Sequence, residues 1–196
     1  KYRGGLPQFY IIKHQDTKTG ITLHQLTEHW DSGAIAAQFT FDVSDQDTFG
    51  TLTAKTENQL MLFLDELYPT FLTHSFSFTP QKSADYFPKP SDKDRRIHWS
   101  DPSAKIQALI RAGNAFFPSH TTLQGSRISI HESHPSTHEL EPGTFKIIDH
   151  QWVVGTADNS LIINLIETPY GFYSGTAFIN QFNFAEHQEG QLGSPL

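Results

Sequence analysis

The feature that most limits how this chain can fold is a break in its hydrophobic pattern. Across residues 73–94 the chain runs through Pro80, Pro88 and Pro90 with Ser and Lys between them and keeps no helical or strand period. That is the composition of a segment crossing a surface. On one side of the break helical and strand-like segments alternate, and on the other short β-like runs follow one another. The expected organisation is an α/β unit over 1–78, a linker over 79–95 and a second domain over 96–196. A chain of 196 residues is long enough to build two small cores.

In the first part, Pro7 suits a first helical turn, and Phe9, Tyr10, Ile11 and Ile12 give that short helix an apolar surface up to His14. Residues 15–20 read as a turn. Residues 21–26 alternate apolar and polar side chains, as a half-buried strand does. After a loop over 27–33, Ile35, Ala37, Phe39, Phe41 and Val43 fall on one face of a second strand, with Gln38, Thr40 and Asp42 opposite. The two strands are expected to pair as a hairpin-like edge. Ser44 and Asp47 are candidate caps for a long amphipathic helix carrying Leu52, Leu60, Phe63, Leu64 and Leu67, and Pro69 should end or bend it.

In the second part, Ser100, Asp101 and Pro102 start a helix whose Ile106, Leu109 and Ile110 share a face and which Gly113 should stop. Five runs rich in β-branched and aromatic residues follow, near Thr121, Ile128, Phe145, Val153 and Ile162. With turn residues between them they read as a small β-barrel. The tail over 188–196 is expected to be loose.

Charge and composition exclude several functions. The net charge is −7, with 7 cationic and 10 acidic residues over 1–90 and 7 against 11 over 91–196. Neither half has the basic balance of a general nucleic-acid binder. The absence of Cys removes disulfides and thiolate metal sites. No apolar run approaches the roughly 20 residues of a membrane-spanning helix, and no leader-like segment opens the chain, so a soluble cytoplasmic protein is the expectation. His131, His134 and His138 invite a metal reading. Pro135 and the Ser/Thr-rich surroundings place them on a loop without a helix-borne Glu, so adventitious binding is favoured over a built site. Trp99 and Trp152 are expected to anchor cores rather than to stack bases. His24, on a half-buried strand, is expected to be structural.

Several stretches, taken in order, resemble folate-dependent formyltransferases of the methionyl-tRNA formyltransferase type. Tyr2-Arg3-Gly4-Gly5-x-Pro7 is similar to the segment that follows the catalytic His of that family, and Thr19-Gly20-Ile21-Thr22-Leu23-His24 to the strand after it. Asp31-Ser32-Gly33 is similar to the Asp-x-Gly signature that closes the active site. Tyr86-Phe87-Pro88-Lys89-Pro90, Arg96-Ile97-His98-Trp99-Ser100 and Ile106-Gln107-Ala108-Leu109-Ile110-Arg111-Ala112 resemble the interdomain linker and the helix beyond it. Thr121-Thr122-Leu123, Arg127-Ile128 and Pro142-Gly143-Thr144 match the barrel that follows.

The resemblance implies the carboxy-terminal half of a nucleotide-type α/β transferase domain followed by a barrel like those of oligonucleotide-binding domains. It implies transfer of a formyl group from 10-formyltetrahydrofolate to a primary amine. In the family an Asn and a His hold the oxyanion and an Asp orients the His and shares in proton transfer. Asp31 would be that Asp, and Thr27, Glu28 and the loop up to Asp31 would line the pterin pocket. The family's Asn and His precede the Tyr-Arg-Gly segment, so this chain alone is not expected to catalyse transfer, and pairing with the missing amino-terminal part is expected. His29-Trp30 stands where the family has a small and an aliphatic residue. For the acceptor, Arg95, Arg96, Lys105, Arg111 and Arg127 offer a local patch toward tRNA, whereas the acidic balance suits a sugar-nucleotide or other small amine. An inactive binding module, or a nucleic-acid-binding barrel, remains an alternative.

Overall fold

The structure is a computed structural model that describes residues 1–82, 85–114 and 116–193. Two compact units divide it, one over Lys1–Lys89 and one over Pro90–Leu196.

In the first unit, helix α1 (Pro7–Lys13) starts on Pro7, whose missing N–H costs nothing in a first turn. Phe9, Tyr10, Ile11 and Ile12 are all buried, so the helix is covered on every side. Strand β1 (Lys18–His24) begins three residues before the expected position, within what the pattern suggested was a turn. It pairs antiparallel with β2 (Ile35–Asp42), setting Ile21 opposite Phe39 and Leu23 opposite Ala37. Phe39 and Phe41 lie half-buried on the inner face, while Gln38 and Thr40 face water.

Helix α2 (Phe49–Thr73) is capped by Thr48 rather than by Ser44 or Asp47. The Thr48 hydroxyl accepts from Thr51 N at 3.2 Å, and Thr51 Oγ1 accepts from Thr48 N at 2.8 Å. Such a reciprocal box satisfies two donors that a helix start otherwise leaves free. Pro69 does not end α2, which runs through it and stops only at His74, left-handed with φ 51°. A proline frees the carbonyl four residues earlier. That residue, Asp65, is exposed, so water can take the place of the lost bond.

The segment read as a linker divides between the units. Thr79 exchanges hydrogen bonds with Ile35 at 2.8 and 2.9 Å, and Arg3 accepts from Phe87 N at 2.7 Å. Tyr10 donates to the Pro88 carbonyl at 2.8 Å. These bonds hold the stretch up to Pro88 on the first unit. The second unit takes the rest, including the short helix α3 (Asp92–Arg95). Residues 83 and 84 lie outside the described residues.

In the second unit, α4 (Ser103–Gly113) buries Ile106, Leu109 and Ile110 and stops at Gly113, as the pattern indicated. Seven strands form one antiparallel sheet: β3 (Ser119–Leu123), β4 (Ser126–Ser136), β5 (Thr144–Ile148), β6 (Gln151–Gly155), β7 (Ser160–Thr168), β8 (Gly171–Ser174) and β9 (Glu189–Gln191). The order is β3-β4-β7-β6-β5-β9, with β8 beside β7. The sheet curls until its ends meet: Leu123 bridges Leu192, and Gly193 N donates to Thr122 O at 2.9 Å. Up to Gly193 the expected loose tail is therefore part of the sheet, and Leu192 is buried. Residues 194–196 lie outside the described residues.

Helix α5 (Gly175–Gln181) covers this sheet. Its first residue has to be glycine, because a Cβ there would overlap the Ile163 carbonyl. Close approach lets Phe178 stack on Trp152 at 5.0 Å with the rings 6° apart, and Phe145 meets Trp152 edge-on at 5.7 Å. Trp99 is also buried, with Nε1 donating to Thr121 Oγ1 at 3.1 Å.

The histidine stretch is not a loop. His131 and His134 lie on β4, and only His138 is beyond it. Pro135 is tolerated because β3 pairs with β4 only up to Ile130, which leaves the Pro135 side facing β3 free of ladder bonds. His131 is buried with Nε2 2.8 Å from Glu167 Oε2, and His134 Nδ1 lies 2.6 Å from Asn164 Oδ1. His131 is buried whereas His134 is exposed, and among the described residues no three His, Asp or Glu side chains are gathered as a metal site.

Candidate active site

A cavity of about 450 Å³ opens in the first unit, between the chain start, the β1–β2 pair and the loop joining those strands. Its volume falls within the range of small-molecule sites. Tyr2, Arg3, Lys18, His24, Asp31 and Gln81 are among the residues lining it.

Asp31 is the sequence-predicted residue that the fold delivers to this cavity. Its backbone is left-handed with φ 55°, a region that Asp tolerates better than most residues. Its Oδ2 accepts from Gly4 N at 3.1 Å. The signature loop is thereby tied to the Tyr2-Arg3-Gly4 segment, which precedes it by 27 positions. Gly33 is required here: a Cβ on it would overlap the Gln25 carbonyl, at the point where Gln25 N and Ala34 O close the loop at 2.9 Å.

The other loop candidates are placed differently. The Thr27 hydroxyl lies 2.8 Å from both the His29 carbonyl and Ser32 Oγ, and Ser32 Oγ lies 2.9 Å from that same carbonyl. Thr27 therefore shapes the turn from its outer side. Neither Thr27 nor Glu28 lines the cavity, and both are exposed. Leu26 and Trp30, on the same loop, are 94% and 89% exposed. His24 does line the cavity, with Nδ1 2.8 Å from the Gln25 carbonyl.

Local pattern gave no sign of the rest of the wall. Arg3 Nη2 donates to Gln81 Oε1 at 2.6 Å, and Gln81 Nε2 donates to Gly33 O at 2.6 Å. Gln81 stands in the stretch whose composition reads as linker, and it is brought to the cavity by pairings on either side of it, Thr79 with Ile35 and Asp85 and Phe87 with Arg3. At the opposite rim, Lys1 Nζ holds both Asp16 carboxylate oxygens at 2.8 Å. Burial pushes Asp16 up, but the bonds from Lys1 and Tyr2 outweigh it and leave its carboxyl below the ordinary range. The same Asp16 bond holds the Lys1 ammonium above its usual value. Burial raises the Tyr2 phenol and lowers the His14 imidazole, which stand 2.9 Å apart. That rim stays charged at Lys1–Asp16 and neutral at Tyr2–His14 near pH 7.

Residues 1–64 match the family model described as formyl transferase, and residues 89–183 match the one described as formyl transferase, C-terminal domain. The chain belongs to the formyltransferase family. Three solved structures illustrate the likeness of this formyltransferase chain. HypX from Aquifex aeolicus in complex with tetrahydrofolic acid shares 19% identity at a TM-score of 0.76, over 94% of this chain and 34% of that one. The N-formyltransferase from Helicobacter canadensis, in complex with folinic acid and dTDP-3-aminofucose, shares 18% at 0.68, over 88% and 62%. Methionyl-tRNA formyltransferase from Clostridium thermocellum shares 18% at 0.53, over 68% and 58%. The chain spans about a third of the length of HypX and about three fifths of the other two. Asp31 and its loop, like the Tyr2-Arg3-Gly4 segment, fall within the stretch matched by the first family model.

Proposed function

We propose that this chain belongs to an enzyme that moves a formyl group from 10-formyltetrahydrofolate to a primary amine, with Asp31 serving proton transfer. One observation carries the reading: the Asp31 carboxylate is presented to a 450 Å³ cavity by a left-handed loop tied to Gly4 N. The bound donor supplies the activated formyl group. Attack by an amine on the formyl carbon forms the new C–N bond and leaves a surplus proton on the amine nitrogen; a carboxylate held at the cavity wall can accept that proton, directly or through a partner imidazole, and return it to N10 as the C–N10 bond breaks and tetrahydrofolate leaves. Asp31 faces the folate from the loop over 25–34, Thr27 holds the turn of that loop, and Glu28 offers a carboxylate on its exposed side. The curled sheet of the second unit belongs, in this reading, to the oligonucleotide-binding class of small barrels.

The acceptor we favour is a small amine such as an amino sugar nucleotide. Residues 91–196 carry a net charge of −4. Three of the five cations offered as a patch toward tRNA are already paired: Arg95 and Arg127 with Asp92 at 3.1 and 2.9 Å, and Lys105 with Asp101 at 2.8 Å. Pre-formed pairs of this kind leave little net positive field for a phosphate backbone. The described residues contain no helix long and apolar enough to cross a membrane, and a cytoplasmic place, where reduced folates serve as donors, completes the reading.

The test is single-turnover formyl transfer by the protein in its full encoded length, offered amino sugar nucleotides and methionyl-tRNA in parallel. Asp31→Asn should lower the rate about 10²–10⁴-fold, the usual contribution of a positioned proton-transfer group. Wild-type protein that stays folded and binds tetrahydrofolate yet formylates neither acceptor would replace the enzyme reading with a binding module.

A further inference from the structure

We infer that Gln81 is a positioning residue for formyl transfer, a strut that fixes the Asp31 loop against Arg3; the inference rests on the transferase reading above. The side chains and backbone groups concerned form a closed circuit. Asp31 Oδ2 takes the Gly4 amide at 3.1 Å, Gly4 follows Arg3, Arg3 Nη2 donates to Gln81 Oε1 at 2.6 Å, and Gln81 Nε2 donates to the carbonyl of Gly33 at 2.6 Å. Gly33 stands two residues after Asp31 in the same loop.

The orientation of the Gln81 amide follows from its partners, since a guanidinium only donates and a carbonyl only accepts. No other side chain of comparable geometry can satisfy both at once. A carboxylate keeps the bond to Arg3 but sets an oxygen against the Gly33 carbonyl, and an apolar side chain loses both bonds.

The backbone around Gln81 is fixed independently of its side chain. Thr79 pairs with Ile35 through two hydrogen bonds, while Arg3 N donates to Asp85 O at 3.2 Å and Arg3 O accepts from Phe87 N at 2.7 Å. The side chain is therefore not needed to hold the segment in place. What it adds is the link between the two strips that meet at Asp31. The loop has little else on that side: its hydroxyl bonds run among Thr27, His29 and Ser32 at the outer turn. Arg3 likewise has few anchors, with one further bond from Nη2 to Lys82 O at 3.2 Å and a buried Nε without a partner among the described residues. Removing Gln81 frees both the loop and the Arg3 head, and a displacement of about 1 Å at a reacting group can cost on the order of 10²-fold in rate.

The experiment is a double-mutant cycle in single-turnover formyl transfer with the full-length protein, using Gln81→Met and Asp31→Asn singly and together. Gln81→Met should lower kcat about 10²-fold, with KM for the donor within about threefold and the melting temperature within a few degrees of wild type. In the Asp31→Asn background the same substitution should cost nothing more, because a residue acting only through Asp31 has no further effect once that carboxylate is gone. Gln81→Glu, which retains the bond to Arg3, should lose as much as Gln81→Met, and it carries the test if the methionine variant fails to fold. Active wild type with unimpaired Gln81 variants, or losses that add in full to those of Asp31→Asn, would overturn the positioning role while leaving the transferase reading intact. A wild type that transfers no formyl group would sink the transferase reading instead.

Discussion

The two units place their apolar residues in opposite ways. In the second, Ile128, Ile130, Ile147, Val153, Val154, Leu161, Ile163 and Ile166 come from four strands and are all buried. The sheet curls, and α4 and α5 pack against it, so these side chains find cover within the unit. In the first, α2 carries the run Leu60, Met61, Leu62, Phe63 and Leu64, of which only Phe63 is buried. Consecutive apolar residues point around a helix rather than along one stripe, so a single packed face cannot cover them. Tyr68, Phe71 and Leu72 extend the exposed surface toward the helix end. A surface of this kind is characteristic of an interaction site. The second unit carries a self-sufficient core, whereas the first carries the candidate active site on a scaffold that leaves apolar surface to be covered.

The contrast predicts where substitutions hurt most. Trp152 is 1% exposed, stacked on Phe178 and edge-on to Phe145, and its Nε1 has no hydrogen-bond partner among the described residues. Trp152→Ala should destabilise the second unit by about 3–5 kcal/mol, a transfer and cavity cost of the usual size. For a unit of this length that lowers Tm by roughly 15 °C or more. Calorimetry on the intact chain would show it, and a shift of only a few degrees would mean that the unit is looser than its packing indicates.

A medium effect is expected at the start of α2, where the first unit does bury a charge. Lys55 Nζ lies 2.6 Å from Asp47 Oδ2. Burial pushes Asp47 up, but the bonds from Lys55, Ser44 N and Thr51 outweigh it and hold its carboxyl below the ordinary range. A depressed folded-state value contributes stability above the unfolded value of about 4, and that stability is lost as pH falls through the folded value. Lys55→Met should cost about 1.5–3 kcal/mol near pH 7, the range for a hydrogen bond to a charged group. Denaturant titrations at pH 7 and pH 3 should find the difference between variant and wild type reduced at the lower pH. An equal difference at both would assign the cost to packing of the Lys55 stem.

Much of this contrast was legible in the sequence. The runs rich in β-branched and aromatic residues near Thr121, Ile128, Phe145, Val153 and Ile162 each became a strand, because such side chains suit a pleated, half-buried surface and turn residues bound each run. Pro7 and Gly113 marked helix ends where local backbone chemistry decides. What escaped depends on partners far away in sequence. Strand β9 is three residues long and is held by its pairing with Thr144, Phe145 and Lys146, about 45 positions earlier in the chain. Pro135 reads as a breaker, yet its strand has a free side at that point. Pro69 reads as a stop, yet the residue whose carbonyl it frees faces water. In the candidate site Asp31 was singled out by the order of the motifs around it rather than by its Ser-Gly turn alone, and it lines the cavity. Gln81 was not, because its role requires Gly33 and Arg3, 48 and 78 positions away.

The smallest effect on stability should come from the surface that sets the first unit apart. Met61 and Leu62 are 62% and 57% exposed. Replacing both with Lys removes little buried area and keeps good helix formers in a helix interior, so the change in stability should stay within about 0.5 kcal/mol per site. Association is where the pair should tell. If these side chains lie against another protein surface in the working molecule, the double substitution will lower the apparent mass of this chain in sedimentation or light scattering at high concentration and make it more soluble. Unchanged association together with a large loss of stability would mean that the run is covered within its own unit. The contrast between a closed unit and an open one would then fail where it is sharpest.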